Sequence, residues 1–315
     1  MTVKRILLSS LLMFMVFACS AIADVKTLDD VLDLFPAGLD IAVSFDESGR
    51  ADLEAAIGLI EATLGVTASF DAADEDAYTA LDIPAEYKTW VNRLSQAYYA
   101  LGDAFLRGEE GAKTAFYKGQ QWGLKSLRMS PDFATEETRH GFIDAVALET
   151  DVEALYWTYG NWARKDEFDP LGAIARNDPP KLQALIERAL EVDETYLVYG
   201  SYRALAAFWG GLPPLPLYAY GQKLPRTLSY ICPVLNEPAF CEDCADCPVD
   251  PDPDAYFENR LIFAQYYLME KGLWGDAARV LRSILDDEVG ETHMLYNAFC
   301  QVLARELLVK VEEHL

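Results

Sequence analysis

The chain has 315 residues, 51% of them hydrophobic and 24% charged, with a formal net charge of −25. That is ample for a large core, as one long domain or two ordinary ones. The acidity excludes a nucleic-acid binder, which needs basic stripes to neutralise phosphates, and direct docking on anionic lipid headgroups.

In chain order, Lys4 and Arg5 precede an apolar run from Ile6 to Phe17, too short to span a membrane. Ala21-Ile22-Ala23 places small residues at −3 and −1 of a cut before Asp24. Residues 1–23 therefore read as a secretory signal peptide, and residues 24–315 as a single helical-repeat domain. A second reading stands beside simple cleavage: Val16-Phe17-Ala18-Cys19 resembles a bacterial lipoprotein box, in which Cys19 would be lipidated. Both readings export the protein, to act free in the periplasm or anchored by lipid at the membrane. No later run is long and apolar enough to cross a bilayer.

Beyond the signal the periodicity is helical. Leu53, Ile57, Ile60 and Leu64 share one face of a first helix. Residues 86–106 follow Pro84 as a second, and 111–129 place Phe116, Gly119, Gly123 and Leu127 close to one stripe. Glycine lowers helix propensity, so close approach of a neighbouring helix is the expected compensation. Residues 135–149 and 151–165 read as two helices, the latter capped by Asp151. Pro179-Pro180 open the next, and 194–209 continue until Gly210-Gly211 and three prolines stop the pattern. Residues 256–271, 273–287 and 293–312 close the chain as three helices. No alternating strand run is present. The expectation is an all-α array of helical hairpins, degenerate and tetratricopeptide-like, with Ala277 at a close helix contact.

Residues 212–255 interrupt the array as a Cys/Pro/Asp-rich insertion. Cys232, Cys241, Cys244 and Cys247 fall within it. Cys247 is followed at once by Pro248, so the last spacing of an iron–sulfur site is missing, and zinc pairs would stand further apart. Export favours disulfides, with Cys300 as the buried free thiol. A redox or metal protein built on 232–247 is the competing reading. The DPDPD run lacks both the turn glycine and the bidentate glutamate of a calcium loop.

Four rings, Tyr156, Trp157, Tyr159 and Trp162, surround one helix on about three sides. Such a helix is buried on several sides, or lines an apolar cleft on one of them. Catalytic constellations are missing. His140, His293 and His314 have no partner at metal spacing, and neither a nucleophile elbow nor a phosphate-cradling loop occurs. The prediction is a non-enzyme with no cofactor, no catalytic residue and no metal ligand.

Three segments, FYKGQQWGLKSL (116–127), DVEALYWTYGNWAR (151–164) and LQALIERALEVDETYLVYGSYRAL, stand in the order found in the T-component family of TRAP transporters, which the chain resembles over most of residues 50–312. The later YFENRLIFAQYY and VLRSIL fit it too; the proline- and cysteine-rich stretch after Gly211 departs from it. The resemblance implies an exported accessory protein of a TRAP-type solute transporter. Its implied partners are the periplasmic substrate-binding protein and a hydrophobic small molecule in an aromatic cleft or pore. It also implies a homo-oligomer, a trimer being one form. Carried onto this sequence, the cleft residues are Tyr156, Trp157, Tyr159 and Trp162, then Tyr117, Trp122 and Trp209. The alternative is a generic cell-envelope helical-repeat scaffold for protein interaction.

Overall fold

The computed structural model describes residues 25–66, 75–215, 218–235, 237, 239–241 and 252–315. The predicted signal segment with Cys19 lies outside them, as do Cys244 and Cys247. Among the described residues there are fifteen α-helices and no strand, so the chain is all-α.

Three helices form the N-terminal part: α1 (Leu28–Leu34), α2 (Glu47–Thr63) and α3 (Glu75–Ala80). Asp46 starts α2, its Oδ1 accepting the amides of Ser48 and Gly49 at 2.9 and 3.0 Å. Leu53, Ile57 and Ile60 are buried on one face of α2, as their spacing predicts. Helix α4 (Lys88–Ala100) then widens into one π turn, Leu101–Phe105, with Leu106 donating to the carbonyl of Leu101.

Helix α5 (Gly111–Met129) folds back on α4 and meets α8 (Val152–Asp166) along its glycines. A Cβ at Gly119 would overlap the Asn161 amide, and one at Gly123 would lie 2.9 Å from the Thr158 Cα. The expected close approach is therefore real, and it sits at a buried polar node. Ser95 Oγ donates to the Gly119 carbonyl at 2.8 Å, and Asn161 Nδ2 donates to the Ser95 carbonyl at 2.8 Å. Asp151 caps α8 as predicted, accepting from the Ala154 amide at 3.1 Å.

The single helix predicted over 135–149 is corrected to two, α6 (Pro131–His140) and α7 (Phe142–Val146). Between them Gly141 adopts φ 100°, which only glycine takes without strain, and the helix breaks there. Two short helices went unpredicted besides α1 and α3: α9 (Pro170–Ala175) and α12 (Leu224–Ile231). Helix α12 falls inside the segment read as an insertion, yet it packs on α11 and buries Ile231; Val234 and Leu235 are buried just beyond it.

Helices α10 (Asp178–Val192) and α11 (Tyr196–Gly211) follow α8 as a pair, α10 with Pro179 in its first turn. Helix α13 (Phe257–Phe263) runs on through a π segment, Ala264–Met269, before α14 (Trp274–Asp286) and α15 (Met294–Glu312). Ala277 is fully buried on α14. The last helix returns to the first third of the chain. His293 Nδ1 lies 3.3 Å from Asp40 Oδ2, Phe299 packs on Phe45, and Tyr296 stacks on Tyr99. One buried cluster joins these two ends of the chain; a second centres on α8, α10 and α11.

Candidate functional site

A cleft of about 500 Å³ opens between α8, α9, α11 and the π segment after α13. Its walls are Tyr99, Tyr156, Tyr159 and Tyr266, with Phe208 and the small residues Ala163, Ala204 and Ala207. Pro213 and Pro214 lie at its edge, where α11 has ended. Large rings crowd a narrow space only if the facing backbone is bare. Glycine provides this: a Cβ at Gly160 would come within 3.1 Å of the Tyr99 ring, at Gly200 within 2.9 Å of Tyr156, and at Gly211 within 3.0 Å of Tyr266.

The tyrosines are held as neutral phenols. Desolvation pushes the hydroxyls of Tyr99, Tyr156, Tyr159 and Tyr266 above their ordinary range. Tyr159 donates to the Ala204 carbonyl at 3.0 Å, fixing α8 to α11. Tyr156 accepts from Arg203 Nη2 at 3.5 Å.

Arg203 is the buried anchor of the site. Its Nε donates to Glu258 at 2.7 Å, and its Nη1 donates to the carbonyls of Leu197 and Val198 at 2.7 and 3.0 Å. The guanidinium also lies over the Tyr256 ring, 4.2 Å from its centroid. Leu197, Val198 and Tyr199 take φ of 52°, 50° and 61°, a left-handed turn built from three residues that disfavour it. Each costs about 1–2 kcal/mol relative to right-handed backbone. Arg203 offsets this by binding the two carbonyls the turn exposes.

A second cavity of about 260 Å³ adjoins the first, sharing Arg164, Glu167, Glu258, Ile262 and Tyr266. Arg164 stands between the two, 3.0 Å from Asp103 and 3.1 Å from Glu167. Burial raises the Asp103 carboxyl against the opposing pull of Arg164. Asp103 belongs to the first π turn and Tyr266 to the second. Both widened turns thus aim a side chain at the cavities, a use of π geometry common at functional sites.

Of the seven residues expected in a cleft, the structure brings two to it, Tyr156 and Tyr159. The indoles point elsewhere. Trp157 is buried and donates to the Tyr196 hydroxyl at 2.9 Å. Trp162 packs edge-on against Phe142, with Lys165 and Lys181 near its ring. Trp122 is fully buried against Tyr78, its Nε1 3.4 Å from Glu61. Trp209 stacks on Tyr220 with Arg226 over its face, and Tyr117 is half-buried on α5 away from the lining. Sequence reading missed Tyr99, Tyr266, Phe208, Arg164 and Arg203. The signal that could have found two of these rings, Tyr99 and Tyr266, is a glycine on the facing helix.

Cys232 and Cys241 form a disulfide, and Cys300 is a buried free thiol. That takes Cys241 out of any metal site at 232–247. Among the described residues no cluster of three His, Cys, Asp or Glu side chains is placed to hold a metal. His140 is exposed beside Glu136, His293 is buried on Asp40, and His314 stacks on Trp274.

Fold and cleft together define an all-α protein with paired helices around an aromatic cavity floored by glycine. Residues 88–216 match the model of the TRAP transporter T-component family (TAtT), so this segment is similar to that family. The match is narrower than the resemblance drawn over residues 50–312, and the closing helices lie outside it. No curated protein matches the chain. The family is one of accessory transport components and is not a known enzyme family. Among the described residues no helix is long and apolar enough to cross a membrane.

Proposed function

We propose that the protein is an exported, non-enzymatic accessory component of a TRAP-type transporter. It docks with the periplasmic substrate-binding protein, holds a hydrophobic ligand in the tyrosine-walled cleft, and works as a homo-oligomer. The observation that carries this reading is the position of the cleft. Most of its lining, from Tyr99 to Pro214, comes from the segment that matches the family. A concave site of this size with apolar walls and a few polar groups suits a small molecule.

The test is capture in the native envelope. The protein is crosslinked, recovered, and its partners identified by mass spectrometry, beside a variant whose cleft is filled by Ala207→Trp. Recovery of a TRAP substrate-binding protein is the expected outcome, with an apolar compound extracted from the parent and depleted in the variant. Recovery of unrelated envelope proteins alone would replace transport with a general scaffold role.

A further inference from the structure

The charges around the cleft point to the class of molecule it takes. Four carboxylates line it, Asp166, Glu167, Glu258 and Glu270, against two guanidinium groups, Arg164 and Arg203. No lysine lines it. Both arginines are already committed. Arg203 is spent on Glu258 and two backbone carbonyls, and Arg164 on Asp103 and Glu167. Asp166 is met from behind by Arg176 and Lys165, at 3.0 and 3.3 Å. Glu270 has only a neutral donor, the Gln222 amide at 2.8 Å, and among the described residues it enters no ion pair.

An incoming carboxylate would find no uncommitted cation here. An incoming cation would find Glu270, whose charge no ion pair among the described residues meets. The walls strengthen this preference, because the faces of neutral phenol rings carry negative potential and attract ammonium groups. Tyr99, Tyr156, Tyr159 and Tyr266 surround the same space as the carboxylates. The alanines, Phe208 and Ile262 complete an apolar body to the site.

We propose that the cleft binds an organic cation, an amine or quaternary ammonium group carried on an apolar body. The head sits among the tyrosines toward Glu270, and the tail lies along Ala204, Ala207 and Phe208. This rests on the cleft being a ligand site, as proposed above.

Calorimetric titration with three probes of equal chain length tests it: octyltrimethylammonium, octanoate and octan-1-ol. The cation is expected to bind about tenfold or more tighter than octanoate, and to weaken as salt is raised. Glu270→Gln, on an exposed side chain, should cut the preference for the cation at least about threefold and leave octan-1-ol unchanged, as the loss of one partly screened charge requires. Ala207→Trp should abolish binding of all three. Octanoate binding as tightly as the cation, with Ala207→Trp still blocking both, would overturn the cationic class and leave the cleft standing. Failure of all three probes to bind, or binding indifferent to Ala207→Trp, would overturn both.

Discussion

Gly123 and Gly58 are both helical glycines, and their surroundings predict opposite consequences for the same change. At Gly123 an added methyl meets the backbone of Thr158 across the α5–α8 contact, where neither helix can retreat without moving the polar node. Gly123→Ala should lower unfolding free energy by about 1–3 kcal/mol, the usual range for overpacking. At Gly58, exposed on α2, nothing lies within 4 Å, and Gly58→Ala should raise it by roughly 0.5–1 kcal/mol. Denaturant titration of both variants checks the pair; equal effects would mean the α5–α8 contact is looser than described. Arg203→Leu belongs to the same scale. It strands the Glu258 carboxylate and two carbonyls in a buried place, and should cost about 3–5 kcal/mol by the same measurement.

For whole helices, the pattern of sequence was readable where burial is one-sided or the ends carry punctuation. Helix α8 shows this: Asp151 at its start, apolar residues throughout, basic residues at its end. Helix α2 is another case, and its cap gives a prediction with a pH sign. Hydrogen bonds from the Ser48 hydroxyl, the Gly49 amide and the Ser44 hydroxyl lower the Asp46 carboxyl from 3.8 to about 2. A carboxyl depressed by folding stabilises above its unfolded value and loses that contribution as pH falls through the folded one. Asp46→Ala should therefore cost about 1 kcal/mol near neutrality and progressively less between pH 4 and 2, followed by thermal melts across that window. The left-handed turn at Leu197–Tyr199 was not readable, because none of its residues favours that backbone. A side chain from the next helical turn and a carboxylate from α13 decide it. The cleft was half-readable for a similar reason. Helical spacing marks α8 as aromatic on several sides, but only the neighbours determine that phenols face the cavity and indoles face the core. Helix α12 escaped notice because prolines and a cysteine loop surround a short apolar stripe, and burial against α11 is what gives it order.

Across the molecule, chain ends and middle are tied by different devices. Asp40, Tyr256 and His293 meet in one buried contact, with Tyr256 donating to Asp40 at 3.0 Å. The Cys232–Cys241 link instead closes a short loop, a separation of 9 residues, beside the α12 helix. Loop-closure entropy for so short a ring predicts about 2–3 kcal/mol of stabilisation. Replacing both cysteines with alanine should lower the denaturation midpoint accordingly, with the cleft's ligand affinity retained because neither cysteine lines it.

The division of aromatic labour has an optical consequence. Tyrosines wall the cleft, and the indoles of Trp122, Trp157, Trp162 and Trp209 look into closed packing. Light absorbed selectively by indole samples surroundings that an occupant of the cleft never touches. Light absorbed by the phenols reaches indole emission only by transfer, and Tyr156 lies edge-on to Trp157 at 5.0 Å, an efficient relay. Occupancy should thus register as a change in the phenol-sensitised part of the emission, while the directly excited indole spectrum stays almost still.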